Sequence, residues 1–297
     1  MDKVSRSFAL CIQQLKSPLR DWVSLMYLLC RIIDTGEDVP WLHKESRDQF
    51  FTLLREKLTD INNKDLLLPT DELFLKKVDP DELQLLKAGE TLFKDFHDLP
   101  KNVQEVLLNL ITSMSLGMQF FLDHYSENNR IKITTYTELN QYCFYVAGIV
   151  GEALTRLVAG LEKREVNNKE LLQAYHFGLF LQKINILKDQ WKDESQNRFF
   201  VTDRKRLRAS LSLHAEESFE YILQISDQFN DYKIFCAWSF FLGLASLKYI
   251  DKSYNNKNDV KIPRLKTLTL MQKIEKIAND NRALTDIYHC YRDKYLV

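Results

Sequence analysis

Glycine and proline are scarce in this chain, with 8 glycines and 6 prolines among 297 residues. Average usage of the two together is about 12%, and proteins rich in hairpins or strand–helix connections need both residues for their turns. Their scarcity favours long helices joined by short loops. Apolar residues recur with helical periodicity over most of the sequence. We therefore predict an all-α protein folded as a single domain over residues 1–297.

Charge imbalance and paired cysteines are lacking as well. Basic and acidic residues number 41 each, which argues against the basic footprint of a nucleic-acid-binding protein. The five cysteines stand alone, without the spacing of a zinc site, and a scattered odd number is typical of reduced thiols in the cytoplasm. The first residues lack the pattern of a secretory signal peptide. These absences favour a cytoplasmic protein without a nucleic-acid partner.

Long hydrophobic runs are missing too. The two longest uncharged runs, 106–122 and 234–247, have 17 and 14 residues, and the first contains several polar side chains. A membrane-spanning helix needs about 20 predominantly apolar residues. We predict that both runs are helices buried inside the protein and that the chain has no transmembrane anchor. Any contact with a membrane would then be peripheral.

Two otherwise apolar helical segments each carry a stripe of polar residues. The stripes consist of Tyr27, Arg31, Asp34 and Asp38 in the first segment and of Gln182, Asn185, Asp189 and Asp193 in the second. Each stripe places two aspartates four residues apart on one helix face. Paired carboxylates repel each other unless a cation lies between them, and Mg²⁺ takes carboxylate ligands together with water and substrate phosphate. The spacing favours a magnesium site for a diphosphate, although two solvated helix faces remain an alternative.

A third segment, Tyr142–Glu152, contains Gly148 and Gly151 within a helical pattern. Each glycine costs a helix up to ~1 kcal/mol relative to alanine, so a structural requirement for them is expected. A close contact with another helix and space for a bulky apolar substrate are the two explanations. The aromatic residue Tyr142 is either part of the core or a functional group.

Four segments, in this order, resemble signature blocks of the squalene and phytoene synthase family. They are Ser5–Ala9, Tyr27–Asp38, Tyr142–Gly151 and Leu181–Asp189. The resemblance extends over nearly the whole chain. It implies an isoprenoid synthase fold, a helical bundle around a central apolar channel with the two aspartate-rich helices facing each other at its mouth.

The resemblance also implies an activity. Members of this family condense two prenyl diphosphates head to head, and the squalene synthase branch joins two farnesyl diphosphates through presqualene diphosphate. That branch then reduces the intermediate to squalene with NADPH, and the segment 235–266 resembles its cofactor-binding tail. Two alternatives remain. One is a non-reducing synthase of the dehydrosqualene or phytoene type, and the other is a non-enzymatic helical scaffold that retains the fold.

The resemblance finally implies roles for individual residues. The proposed Mg²⁺ ligands are Asp34, Glu37, Asp38, Asp189 and Asp193. The proposed acid/base in the first half-reaction is Tyr142. The residues expected to bind the diphosphates or NADPH are Arg6, Ser7, Phe8, Tyr27, Arg31, Gln182, Asn185, Lys188, Lys261 and Arg264.

Overall fold

The computed structural model describes residues 6–296, apart from Lys64, Leu66, 128–129, Thr202 and 254–261. Fourteen α-helices account for most of this part of the chain. They are α1 (Arg6–Gln13), α2 (Leu19–Asp38), α3 (Lys44–Thr59), α4 (Glu72–Lys77), α5 (Pro80–Lys87), α6 (Gly89–His97), α7 (Lys101–Tyr125), α8 (Tyr136–Cys143), α9 (Ile149–Glu162), α10 (Asn168–Ser195), α11 (Arg204–Gln224), α12 (Asn230–Ser253), α13 (Arg264–Ile277) and α14 (Asn281–Tyr295). The predicted all-α class is confirmed.

The helical periodicity of 81–97 and of 266–294 predicts one long helix in each stretch, but the structure divides both. The first is divided at Ala88, which ends α5 and precedes α6. The second is divided between α13 and α14, where the Asp280 side chain accepts a hydrogen bond from the Ala283 backbone N–H. An aspartate at this position satisfies a donor that a starting helix leaves unpaired, so the new helix begins there. A π-helical turn over Phe144–Gly148 also separates α8 from α9.

Three short strands, β1 (Ser126–Glu127), β2 (Arg130–Lys132) and β3 (Arg198–Phe199), form a small sheet that the sequence did not indicate. β1 and β2 are antiparallel, whereas β2 and β3 are parallel with Ile131 opposite Arg198. The backbone N–H groups of Ile131 and Ile133 donate to Asn197 and Phe199 at 3.0 Å each. The sheet thereby ties the end of α10 to the chain that follows α7, and it fixes the position of Arg198.

Helix α10 lies at the centre of the bundle and contacts α9, α11, α12 and the π turn. A Cβ atom on Gly151 would lie 2.2 Å from the carbonyl oxygen of Ala174, and one on Gly178 would lie 2.2 Å from that of Ala147. Backbone therefore meets backbone between α10 and the π–α9 segment. Of the two explanations for Gly151, the close helix contact is confirmed.

This contact predicts opposite effects for two glycine-to-alanine changes. Gly178→Ala should lower the free energy of unfolding by about 2 kcal/mol or more, because the methyl group would meet main-chain atoms that cannot rotate away. Gly160→Ala is the control: Gly160 is exposed in α9, and its nearest neighbour would be 3.7 Å away. Gly160→Ala should raise the free energy of unfolding by up to ~1 kcal/mol, because alanine favours the helix more than glycine does. Urea denaturation measures both, and equal effects would contradict the contact.

Among the residues that the structure describes, three helical stretches have the length and apolar composition of a membrane span. They are Lys101–Tyr125, Tyr136–Glu162 and Asp227–Lys252, and 50%, 44% and 61% of their apolar windows are buried inside the protein. The two uncharged runs of the sequence lie in the first and third of these stretches. The runs are thus built into the bundle to a large extent. The absence of a membrane anchor stays a prediction.

A lysine without a carboxylate partner in the described residues is buried between α8, α10 and α11. The ammonium group of Lys183 lies 2.8 Å from the Tyr136 hydroxyl, 3.2 Å from Ser210 Oγ and 2.7 Å from His214 Nε2. Because an ammonium group only donates, the His214 ring must be neutral to accept. Burial, with the neighbouring Lys183 and His176, lowers the pKa of His214 to about 3.

The neutral His214 predicts a loss of stability at acidic pH. In the unfolded chain His214 takes up a proton below its ordinary pKa of 6.5, whereas the folded chain keeps it neutral down to about pH 3. The unfolded state then binds more protons, and the free energy of unfolding falls by up to ~1.4 kcal/mol per pH unit in this window. His214→Gln, which retains an acceptor for Lys183, should lose less stability than wild type between pH 6.5 and 5. Parallel losses in denaturation experiments at the two pH values would contradict this role.

Candidate active site

One cavity of about 530 Å³ receives side chains from both aspartate stripes. Its polar end is lined by Asp34, Glu37, Asp38, Asp189 and Asp193. Its remaining walls are mainly apolar and include Met114, Met118, Val146, Val150, Leu154 and Phe177. The stripes on α2 and α10 are therefore not solvated faces on opposite sides of the protein. They meet at one end of an apolar cavity, an arrangement that the resemblance to the family implied.

Most of the residues expected to bind substrate or cofactor line the same cavity. These are Phe8, Tyr27, Arg31, Gln182, Asn185 and Lys188. Arg264 is exposed at the start of α13 and is not among the described residues that line it. Lys261 and the side chains of Arg6 and Ser7 lie outside the described part of the chain. The structure thus places six of the ten expected binding residues around one cavity.

Arg31 pairs with carboxylates on both of its sides. Its Nη1 lies 2.9 Å from Asp34 Oδ2, and its Nη2 lies 2.5 Å from Glu82 Oε1 on α5. Burial raises the pKa of Asp34 even though Arg31 acts in the opposite direction. Because Arg31 already forms two ion pairs, binding of a diphosphate by this residue requires that at least one of them be exchanged.

Arg198 is a residue of the site that the sequence did not reveal. Its Nη2 donates to both Glu37 oxygens, at 2.8 and 2.6 Å, and its Nη1 pairs with Asp38. Nη2 also lies 3.4 Å from the Tyr142 hydroxyl. Arg198 follows the end of α10 and belongs to no helical stripe. The aromatic and β-branched run Phe199-Phe200-Val201 after a helix stop is the local signal that could have indicated a strand there.

Tyr142 lies beside this ion pair, on the last turn of α8. Its hydroxyl donates a long hydrogen bond of 3.4 Å to Glu37 Oε1, and Phe200 stacks on its ring at 4.8 Å between centroids. Burial, followed by the charge of Glu37, raises the pKa of Tyr142 well above 10. The phenol is therefore protonated, with Arg198 as the adjacent group that can stabilise a phenolate.

The aspartates on α10 differ in their counter-ions. Lys188 Nζ lies 3.2 Å from Asp189 Oδ2 and 3.2 Å from Asn185 Oδ1. Burial, together with the like charge of Asp189, raises the pKa of Asp193 to about 7. Additional positive charge at this end of the cavity would therefore favour the carboxylate form of Asp193.

Comparison with known proteins agrees with this geometry. The family model for squalene/phytoene synthase matches residues 1–204. The chain belongs to the squalene/phytoene synthase family. It is 31% identical to squalene synthase of Schizosaccharomyces pombe over 204 residues, which cover 67% of this chain and 42% of that protein. It is 32% identical to human squalene synthase over 201 residues, which cover 67% of this chain and 44% of that protein.

A solved structure extends the similarity beyond the residues that the family model matches. The complex of TcSQS with the ligand BPH1237 has a TM-score of 0.80 and 26% sequence identity, and it covers 98% of this chain and 87% of that one. The similarity in fold thus includes α11 to α14. The chain nevertheless spans less than half the length of the two curated relatives described above.

The donor set at the polar end suits magnesium. Within the described residues, no three acidic, histidine or cysteine side chains are arranged closely enough to enclose a metal ion. Mg²⁺ does not require such an enclosure, because it is usually held by one or two carboxylates and completed by water and phosphate oxygens. The aspartate pairs on α2 and α10 provide such ligands. Glu37 is the exception, because Arg198 already holds both of its oxygens.

The arginine of the site can be tested without an activity assay. Arg198→Gln leaves Glu37 and Asp38 without their guanidinium partner, and loss of one member of a buried pair costs about 3 kcal/mol. We expect a lower midpoint of thermal unfolding, and a larger upward shift on addition of Mg²⁺ than in wild type. Arg156→Gln is the control, because it removes only an exposed pair with Glu152. Equal Mg²⁺ shifts in all three proteins would contradict this role of Arg198.

Proposed function

We propose that this chain is a magnesium-dependent, head-to-head prenyl synthase that condenses two farnesyl diphosphates to presqualene diphosphate and reduces it with NADPH to squalene. The observation that carries the proposal is the meeting of two aspartate pairs, from α2 and α10, at the polar end of one apolar cavity. The diphosphate group of a substrate would bind at the polar end of the cavity, with cations between it and the aspartates. The prenyl chain would lie along the apolar walls.

The first step is ionisation of one farnesyl diphosphate. Mg²⁺ supplies charge neutralisation of the diphosphate leaving group. Asp34 and Asp38 on α2 and Asp189 and Asp193 on α10 would hold the Mg²⁺ ions at the polar end. The apolar walls exclude water, which would otherwise capture the allylic cation.

Aromatic side chains extend from α1 and α12 into the cavity near Tyr27. The Phe8 ring centroid lies 5.6 Å from that of Tyr27 and 5.5 Å from that of Phe235. All three residues line the cavity. Aromatic faces attract cations without reacting as bases do, so this cluster is suited to stabilise a carbocation during carbon–carbon bond formation.

Tyr142 is the group we assign to proton transfer in the condensation. Its proton is held firmly in the resting protein, because burial and Glu37 disfavour the phenolate. Acceptance of a substrate proton by this oxygen therefore first requires that Tyr142 pass its own proton to Glu37 Oε1, which accepts its hydrogen bond. Arg198, 3.4 Å away, can stabilise the phenolate in such an exchange.

The proposed reduction by NADPH is supported by the similarity to proteins named squalene synthase. It also draws on three basic residues that are candidates to bind the cofactor. Lys188 lines the cavity, and Arg264 begins α13. With Lys261, these residues are our candidates for the NADPH phosphates. The runner-up is a non-reducing synthase of the dehydrosqualene or phytoene type. A non-enzymatic scaffold is disfavoured because carboxylates directed into a cavity serve no packing purpose.

We place the protein in the cytoplasm, with peripheral membrane contact for release of the lipophilic product and with no nucleic-acid partner. Free cysteines support the cytoplasmic location, and the equal numbers of basic and acidic residues argue against a nucleic-acid partner. Farnesyl diphosphate is the soluble substrate in this scheme.

The proposal predicts consumption of farnesyl diphosphate that requires Mg²⁺ and Asp189. Asp189→Asn should reduce the rate by at least about 100-fold, because the cation loses a charged ligand where the leaving-group charge develops. Squalene should form with NADPH, and presqualene diphosphate or a dehydrosqualene-type product without it. Product identification by mass spectrometry in both conditions provides the measurement.

Asp286→Asn, at an exposed position of α14, is the matched control and should retain the wild-type rate. Undiminished turnover in Asp189→Asn would contradict the metal role. An identical product spectrum with and without NADPH would assign the protein to the non-reducing branch.

A further inference from the structure

The cavity has a polar end and a deep end that are far apart along α10. The residues of this helix that line it run from Asp193 and Asp189 to Phe177 and Ala174. Asp189 and Ala174 are fifteen positions apart, which corresponds to roughly 22 Å at 1.5 Å per residue. A chain bound by its diphosphate at the aspartates therefore extends toward Ala174.

Two buried tyrosines from separate helices line this cavity near its deep end. Tyr221 of α11 is 5% exposed and Tyr232 of α12 is 2% exposed. The Tyr221 ring lies 6.1 Å from that of Phe177, measured between centroids. Its hydroxyl lies 2.8 Å from Oγ1 of Thr155, which follows the cavity-lining Leu154 on α9. Tyr221 is thereby located opposite the aspartates.

The hydroxyl groups of these residues form a chain with one consistent direction. Thr155 Oγ1 donates to the carbonyl oxygen of Gly151 at 2.9 Å. Because the Thr155 hydroxyl proton is donated to that carbonyl oxygen, Thr155 Oγ1 accepts the hydrogen bond that the Tyr221 hydroxyl donates. Tyr221 in turn accepts from the Tyr232 hydroxyl at 2.7 Å. Each of these protons has a protein acceptor, so the polar groups of α9, α11 and α12 are satisfied with one another and the rings are held in place.

The wall next to these rings cannot move outward easily. Gly151 and Ala174 both line the cavity, and they are the residues at which the backbones of α9 and α10 meet. Since main chain contacts main chain there, no side chain can rotate to lengthen the channel. Phe177 of α10 also lines this end, but Tyr221 and Tyr232 come from α11 and α12, and their rings are the groups whose removal would extend the channel away from α10.

We propose that Tyr221 and Tyr232, hydrogen-bonded to each other and linked to α9 through Thr155, form the floor of the channel and set the longest prenyl chain that it accepts. This inference rests on the proposed function, because it takes the ligand to be a prenyl diphosphate. The floor admits a farnesyl chain and excludes a geranylgeranyl chain, which is one isoprene unit longer. The selection is steric and depends on the rings rather than on the hydroxyl groups.

The test measures binding of two unreactive analogues, farnesyl thiodiphosphate and geranylgeranyl thiodiphosphate, to the full chain with Mg²⁺ by isothermal titration calorimetry. Wild type should bind the farnesyl analogue at least about tenfold more tightly, and Tyr221→Ala should shift the ratio of the two dissociation constants by at least about tenfold toward the longer chain. Tyr221→Leu, which perturbs packing less, should shift it in the same direction.

Two control variants separate the floor from general effects. Tyr221→Phe retains the ring and should keep the wild-type ratio. Tyr291→Ala truncates a half-buried tyrosine that is not among the described residues lining the cavity, and it should keep the ratio as well. If both Tyr221→Ala and Tyr221→Leu bind the farnesyl analogue and keep the wild-type ratio of dissociation constants, the assignment of the floor is overturned but the proposed function is not. Failure of wild type to bind either analogue would overturn the proposed function and the floor with it.

Discussion

Repulsion among five carboxylates at the polar end of one cavity is the constraint on which the arrangement of the site depends. The raised pKa of Asp193, about 7, reflects burial and the neighbouring Asp189. The protein supplies positive charge from three separate elements, through Arg31 on α2, Lys188 on α10 and Arg198 on β3. Neutralisation of the site is therefore coupled to closure of the bundle, because each cation arrives with a different part of the chain.

The close approach of two backbones explains how the bundle can enclose a channel. Where Gly151 and Gly178 bring the π–α9 segment against α10, no side chain stands between the helices. Side chains elsewhere on the same two segments are directed into the cavity, so Val150 of α9 and Asp189 of α10 line the same space. The contact that stabilises the helix pair also prevents the channel from widening. The depth of the channel is therefore set by the side chains at its closed end.

The aspartate stripes could be predicted because they depend on local periodicity alone. Any helix over 182–193 places Asn185, Asp189 and Asp193 on one side. Arg198 could not be predicted in this way. Its position depends on pairing between β3 and Ile131, a residue distant in sequence, in strands of only two and three residues. The role first assigned to Glu37 shows the consequence, because a carboxylate expected to be available to a metal is held by this arginine.

The sequence by itself determined the helical class and the two aspartate pairs, since composition and a period of 3.6 residues are properties of short segments. The role expected of Tyr142 came from the resemblance to a family and not from periodicity. Only the tertiary structure decided which helix faces meet, which cations accompany the carboxylates, and that Tyr221 and Tyr232 line the deep end of the cavity. The physical reason is that these features depend on the register of one helix against another. That register is set by close packing between residues far apart in the chain, such as Gly178 and Ala147.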